Sequence, residues 1–267
     1  MHPIERLRSV ARAQGAGPSL LVREAASALA GFGPEPAGLV TACRRLVDRH
    51  PTVGPMWALA ARVLSAAEPV AEAWRVADEV EGDPTPASLA AVLPEEATAV
   101  VLGWPEQVAE ALRRRGDLDV LLVDCAGEAR GLSQRLLAAG VECVDVPDAG
   151  LGAAVAEADV VLLEASAVGP DRFVAASGSR AAAALARSGE VPVWVVAGEG
   201  RVLPAPLWEA LAVRLERAGD DPWERPQEIV ALALCDEIVG PRGLQAPLET
   251  AARADCPSVP ELLKPLE

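Results

Sequence analysis

The chain has 267 residues, enough for one large domain or two smaller ones, with 51 % hydrophobic residues and a formal net charge of −15. That acidic balance excludes a nucleic-acid backbone as partner, because counterion release needs a basic face. The apolar content is largely alanine in short runs interrupted by charges, so no stretch of about 18–20 apolar residues could cross a membrane. The opening MHPIERLRSVARAQG lacks the apolar core of a signal peptide, which predicts a cytoplasmic protein.

The first third reads as helical. IERLRSVARA, SLLVREAASALAGF and AGLVTACRRLVDRH each place apolar residues at helical spacing. Ser19 is the candidate N-cap of the second of these and Gly31 its stop. A turn, His50-Pro51-Thr52-Val53-Gly54-Pro55, precedes a helix over MWALAARVLSAA, and Pro69 opens another over VAEAWRVADEVEG. The segment Gly82-Asp83-Pro84-Thr85-Pro86 is the candidate boundary, with a short helix (SLAAVL) after it. It separates an N-terminal helical domain, residues 1–93, from an α/β domain, residues 94–267.

From about Ala97 short apolar runs alternate with helices: TAVVLG, EQVAEALRRRG, LDVLLVDC, ARGLSQRLLAAG, VECVDV, GLGAAVAEA, DVVLLEA, SRAAAALARSG and VPVWVVAG. Near the end, IVALALCDEIVG offers a last strand in its second half. Continuous rather than alternating hydrophobicity marks strands covered on both faces. The fold class is therefore α/β, with helices followed by a doubly wound, mostly parallel Rossmann-like sheet. Ligands are expected at the carboxyl ends of its strands.

In that register the rim is Gly103–Glu106, Asp124–Glu128, Pro147–Asp148, Glu164–Ser166 and Gly198–Arg201. The stretch Asp159–Arg201 reads as strand, glycine-bearing loop, small-residue helix and strand. Gly178-Ser179-Arg180 opens the helix, where free N–H groups and the positive helix end favour an anion. The same residues also suit an ordinary helix entry. Asp124, Glu128, Asp148 and Glu164 fit acid/base or metal chemistry, and equally fit caps for the following helices. The α/β domain holds no histidine, which excludes a Ser-His-Asp arrangement within it. Neither GxxxxGK[ST] nor GxGxxG occurs, and the five cysteines form no CxxC pair, so no cofactor or metal is expected. Cys143 and Cys235 read as buried small hydrophobes. Cys125, between a strand and a helix, is the candidate reactive thiol, with an inert buried cysteine as the alternative.

Across nearly the whole chain these segments resemble the family of the regulatory (alpha, beta and delta) subunits of translation initiation factor 2B and of methylthioribose-1-phosphate isomerase. QGAGPSLLVREAASAL is similar to the family's early helix with its Gly-Ala-Ser start, and RHPTVGPMWALAARVL to its Arg-Pro-Thr segment. VVLGWPEQVAEAL, the run VDCAGEARG to EADVVLLEASAV, and DEIVGPRG follow its strands in order. Carried over by this resemblance, the isomerase's catalytic cysteine falls at Pro105 and its Gly-Ala-Asp aspartate at Ser166. The Asn-Lys pair falls at Ala175-Ala176, and two arginines fall at Ala126 and His50. Neither Pro105 nor Ser166 can carry a proton at neutral pH.

The resemblance implies an initiation factor 2B-like, non-catalytic protein binding a small phosphorylated ligand (a sugar phosphate or nucleotide) or a protein partner. Thr52, Ser166, Gly178, Ser179 and Arg201 would line the pocket. A homodimer is implied, with Trp104, Trp194, Trp208 and Trp223 as candidate contacts and Trp194 also suited to the core. The alternative is a divergent sugar-phosphate isomerase whose centre has moved to Cys125, Asp124 or Glu128.

Overall fold

Apolar runs of five residues, too short for helices and rich in valine and leucine, become the central parallel strands. The structure is a computed structural model and describes residues 5, 10, 17–32, 36–125, 127, 129–217 and 221–264. Ala126 and Glu128, both weighed above, lie outside the described residues.

Among the described residues the helical part is built from α1 (Pro18–Ala30), α2 (Pro36–Arg49), α3 (Gly54–Ser65), α4 (Pro69–Glu81) and α5 (Thr85–Val92). The N-cap of α1 is Gly17, not Ser19, and Pro18 follows it. Proline suits that first position because its missing N–H is one of the helix's orphan donors and its φ is already helical. Gly31 ends the helix as expected. α1 buries Leu21, Val22, Ala25, Ala26, Ala28 and Leu29. Its alanines let α4 approach closely, and each fully buried leucine contributes about 1.5–3 kcal/mol.

The main sheet is built from β1 (Thr98–Leu102), β2 (Asp119–Val123), β3 (Glu142–Val146), β4 (Val160–Glu164), β7 (Val193–Val196), β9 (Glu237–Gly240) and β10 (Gly243–Gln245). Their spatial order is β10-β9-β7-β4-β1-β2-β3, with every neighbouring pair parallel except β10 with β9. This is the doubly wound order, which reverses between β1 and β4 and opens a crevice there. The crossovers are α6 (Glu106–Arg113), α7 (Ala129–Ala138), α8 (Leu151–Ala156) and α9 (Ser179–Ser188). Among the described residues no helix is long and apolar enough to cross a membrane.

A second, antiparallel sheet was not expected. β5 (Ala167–Val168), β6 (Arg172–Ala176) and β8 (Gln227–Ala231) lie side by side in the order β5-β6-β8. The residues read as a glycine-bearing loop thus contain a strand, and the first half of IVALALCDEIVG pairs with it rather than with the main sheet. Local sequence does not reveal this, because β6 and β8 are joined by α9, β7 and α10 (Ala205–Arg217).

The hydrophobic clusters tie the two parts together. One cluster joins α1–α4 to Ala167, Val174, Leu207, Trp208, Val259 and Leu262. Leu89 and Leu93, in and just after α5, pack instead with β1, β2 and α6. Trp208 is fully buried in the first cluster, so it cannot serve as a dimer contact. Trp194 is half-buried against the main-sheet core, while Trp223 is 79 % exposed. Cys235 is buried, though as an extended residue at the end of a 3-10 turn rather than in a strand. Cys143 is only half-buried because β3 is the sheet's edge, where Val144 is also exposed.

Candidate functional site

The crevice floor is made where three chain segments meet, at the ends of β1 and β2 and before α9. Gly178 has φ +95°, a left-handed conformation that a Cβ would strain, and it forms the N-cap of α9. A Cβ there would lie 3.7 Å from Cys125 Sγ, and one on Gly103 would lie 3.4 Å from Ala176 Cβ. Gly103, Cys125, Ala176 and Gly178 therefore converge. Burial first, then the carboxylates of Asp124, Asp148 and Glu228, push the Cys125 thiol up to about 11, against one hydrogen bond from the Gly103 backbone. At neutral pH this sulfur is a thiol, not a nucleophilic thiolate.

The helix N-termini around the crevice already face carboxylates of the chain itself. Glu228 Oε1 accepts from the N–H groups of Gly178 (2.8 Å) and Arg180 (3.0 Å), and the Arg180 guanidinium lies 3.7 Å from its other oxygen. Glu164 Oε2 accepts from Gln107 N–H (2.8 Å) and Val108 N–H (3.2 Å) at the start of α6. Asp124 accepts from Ala129 N–H (3.2 Å) at the start of α7. These are the donors that would otherwise greet an anion. Asp148 is spent locally, accepting from the Ala149 N–H.

Of the five ligand-binding candidates, Ser179 is buried at 1 % exposure behind Gly178. Ser166 is half-buried; its hydroxyl donates to Val174 O (3.3 Å) and accepts from Gln227 Nε2 (2.9 Å). Thr52 sits half-buried in the turn before α3, two residues from Gly54, whose N–H donates to Ser166 O at 2.9 Å. A Cβ on Gly54 would stand 2.6 Å from that oxygen, so only glycine lets α3 press so closely on the β4–β5 connection. Arg201 is 4 % exposed and paired with Glu164 (3.0 Å); its other terminal nitrogen donates to Ala165 O. Thr52, Ser166 and Arg201 thus gather around one loop, while Gly178 and Ser179 stand apart at α9. His50, at the place of a family arginine, donates from Nε2 to Val10 O (2.8 Å) and is buried.

Sequence reasoning missed Glu228 and Gln227, which reach the site only because β8 pairs with β6. It also missed the helical side of a cavity of about 280 Å³ between the bundle and the sheet. Ser19, Asp83, Glu106, Gln107, Glu199 and Arg201 are among its walls. Burial, then the neighbouring Glu164, raises the Glu106 pKa, with Arg201 and Arg135 opposing. Burial also raises Glu199, helped by Asp255, Asp83 and Glu79. This lining is acidic and disfavours a second anion. Among the described residues no set of three or more His, Cys, Asp or Glu side chains is arranged to hold a metal ion.

The fold has close counterparts among solved structures. A translation initiation factor eIF-2B from Pyrococcus horikoshii OT3 superposes with a TM-score of 0.77 at 17 % identity, over 92 % of this chain and 98 % of that one. The eIF2B beta subunit from Chaetomium thermophilum gives 0.74 at 17 % identity, over 94 % and 89 %. A chain of the tetrameric eIF2B-beta2-delta2 complex from C. thermophilum gives 0.72 at 21 % identity, over 94 % and 93 %. At these identities the likeness carries the fold alone. No curated protein sequence matches the chain. The model of one family, the initiation factor 2 subunit family, matches residues 91–228, the stretch from the end of α5 through the crevice to Glu228. That is more than half of the chain, which belongs to the initiation factor 2 subunit family.

Proposed function

We propose that this protein is a non-catalytic, initiation factor 2B-like subunit of the cytoplasm that acts by binding a protein partner and pairs with a second copy through its α/β region. The observation that carries this reading is the self-occupied rim: Glu228, Glu164 and Asp124 hold the N–H groups at the starts of α9, α6 and α7. A phosphorylated ligand at Gly178 and Ser179 would have to displace Glu228, and at Arg201 it would have to break the pair with Glu164. The first displacement costs part-buried, charge-assisted hydrogen bonds and the second a buried ion pair. The beta2-delta2 tetramer named for the C. thermophilum relative supports assembly as the mode of action.

Thermal shift against ribose 1-phosphate, methylthioribose 1-phosphate and AMP tests the ligand side, since a bound ligand raises the melting temperature by mass action. No shift with any of them, together with a dimer mass by light scattering, is the expected pair of results. A saturable shift that disappears in Ser179→Ala or Arg201→Gln would restore the phosphorylated-ligand reading. The relocated-isomerase reading has Cys125 and Asp124 as its described candidates. Cys125 is held as a thiol and Asp124 caps α7, so the expected result is no turnover of either sugar phosphate. Turnover lost on Cys125→Ala or Asp124→Asn would overturn the non-catalytic assignment.

A further inference from the structure

The chain passes between its helical core and its sheet cores at three places that meet. Val76 and Val80 of α4 pack in the helical core, while Leu89 of α5 packs with the sheet. Val195 of β7 packs with the sheet, while Leu207 and Trp208 of α10 pack with the helices. Ala251, closing α11 (Pro247–Ala251), packs against the sheet, while Cys256, Val259 and Leu262 are buried among the helices. Residues 252–264 are therefore a strap over the junction, held near its end where Leu262 O accepts from Arg214 Nη2 at 3.1 Å.

Both outer crossings grip the middle one, the loop from Gly198 to Leu203. Asp83, in the turn between α4 and α5, accepts from the Glu199 N–H (2.8 Å) and from Gln107 Nε2 with one oxygen, and from the Thr85 N–H (2.9 Å) with the other. A Cβ on Gly198 would stand 1.9 Å from that first oxygen and 2.1 Å from Gln107 Nε2, so only glycine admits this grip. Asp255, in the strap, accepts from the Val202 N–H (2.8 Å), and its own N–H donates to Val202 O (2.8 Å). Between the two grips Arg201 O accepts from the Val168 N–H of β5 (2.7 Å), and Gly200, at φ +75°, presses on Pro55 of α3.

We propose that the three crossings form one latch: Asp83 and Asp255 hold the loop at its two ends, and it leaves the junction only as a unit. Glu199 and Val202 are three residues apart, about 10 Å at full extension, and so short a tether carries a displacement of one end to the other. The loop carries Glu199 and Arg201, both walls of the cavity, and Arg201 also holds Glu164 at the crevice rim. Opening of the latch therefore unseats a wall of the cavity and loosens the rim in the same event.

Amide hydrogen exchange at Glu199 and Val202 in the intact protein, followed through low urea concentrations, reads the latch directly. In the wild type both amides should share one opening constant, within about threefold, and it should exceed that of Val101 in β1 by at least about tenfold. Asp83→Ser keeps a side-chain oxygen for the entry of α5 but cannot also reach Glu199. It should raise opening about tenfold at Val202 as well as at Glu199, the size of one lost hydrogen bond to a charged acceptor. Asp255→Ala should do the same at Glu199. The wild-type comparison keeps the test open if a variant does not fold. Separate opening constants at Glu199 and Val202, opening of both only together with Val101, or a rise confined to Glu199 in Asp83→Ser would each overturn the proposal.

Discussion

The crevice at the strand ends and the seam beneath the strap share the loop from Gly198 to Leu203, yet they manage charge in opposite ways. In the crevice each carboxylate has donors: Glu164 has Arg201 and two α6 amides, and Glu228 has two α9 amides and Arg180. In the seam Asp83, Glu199 and Asp255 face one another with Arg242 as the counter-charge acting on both Glu199 and Asp255. In the crevice the helix-start N–H groups are held by carboxylates of the chain itself. In the seam burial and like charge raise Glu199 and Asp255, while Asp83 accepts the N–H groups of Thr85 and Glu199 and Asp255 accepts that of Val202. One loop thus borders both arrangements.

The largest way to break the comparison is Arg201→Met, which leaves Glu164 charged and buried without its partner. Loss of one member of such a pair costs about 3–5 kcal/mol, visible as a lower urea midpoint. A loss below about 1 kcal/mol would mean that the crevice is not held by this pair. Next comes Gly54→Ala, whose Cβ would stand 2.6 Å from a backbone oxygen that cannot swing away. About 1–3 kcal/mol of destabilisation is expected, and an unchanged melting temperature would show that α3 sits farther from the β4–β5 connection.

Asp255→Asn sharpens the other side. It should stabilise the protein by about 1–2 kcal/mol at pH 7.5 and by little at pH 4.5, where the wild-type carboxyl is already neutral. Calorimetry at both pH values checks this, and stabilisation confined to the acid side would reverse the sign. The smallest effect belongs to Glu228→Gln, which keeps an acceptor for the α9 amides but removes the charge. A cost of about 0.5–2 kcal/mol follows from the weakened cap. The same variant should be better stabilised by phosphate than the wild type. If added phosphate moves neither melting curve, the rim is closed by more than Glu228.

Much of the architecture was legible along the chain. The runs TAVVL, DVLLV, VVLLE and VWVV announced strands buried on both faces, and they form β1, β2, β4 and β7 next to one another. VECVDV belongs to the same series, but its alternating charges showed an edge strand only once β3 was seen to have a single neighbour. RFVAA carries no such mark: five residues after a Gly-Pro-Asp turn fit a loop as well as a strand, and only the partner β8 decides. At the site, Glu164 could be placed at its strand end, and a cap was one of its two readings. Glu228 offered no signal, since a glutamate in IVALAL's approach becomes a cap only through a pairing 50 residues away.

By itself the amino-acid order determined the helical start and the parallel core, because periodicity and apolar run length act locally; the place of the crevice, between β1 and β4, needed the sheet order. It also determined that histidine chemistry is absent from the α/β part. Only the tertiary structure decided which charges meet: Arg201 with Glu164, Glu228 with α9, and Asp255 with the Val202 loop. The physical reason is range. Secondary structure answers to neighbours a few residues away, whereas the ionisation and availability of a side chain depend on whatever the folded chain brings within about 4–6 Å, from any distance in sequence.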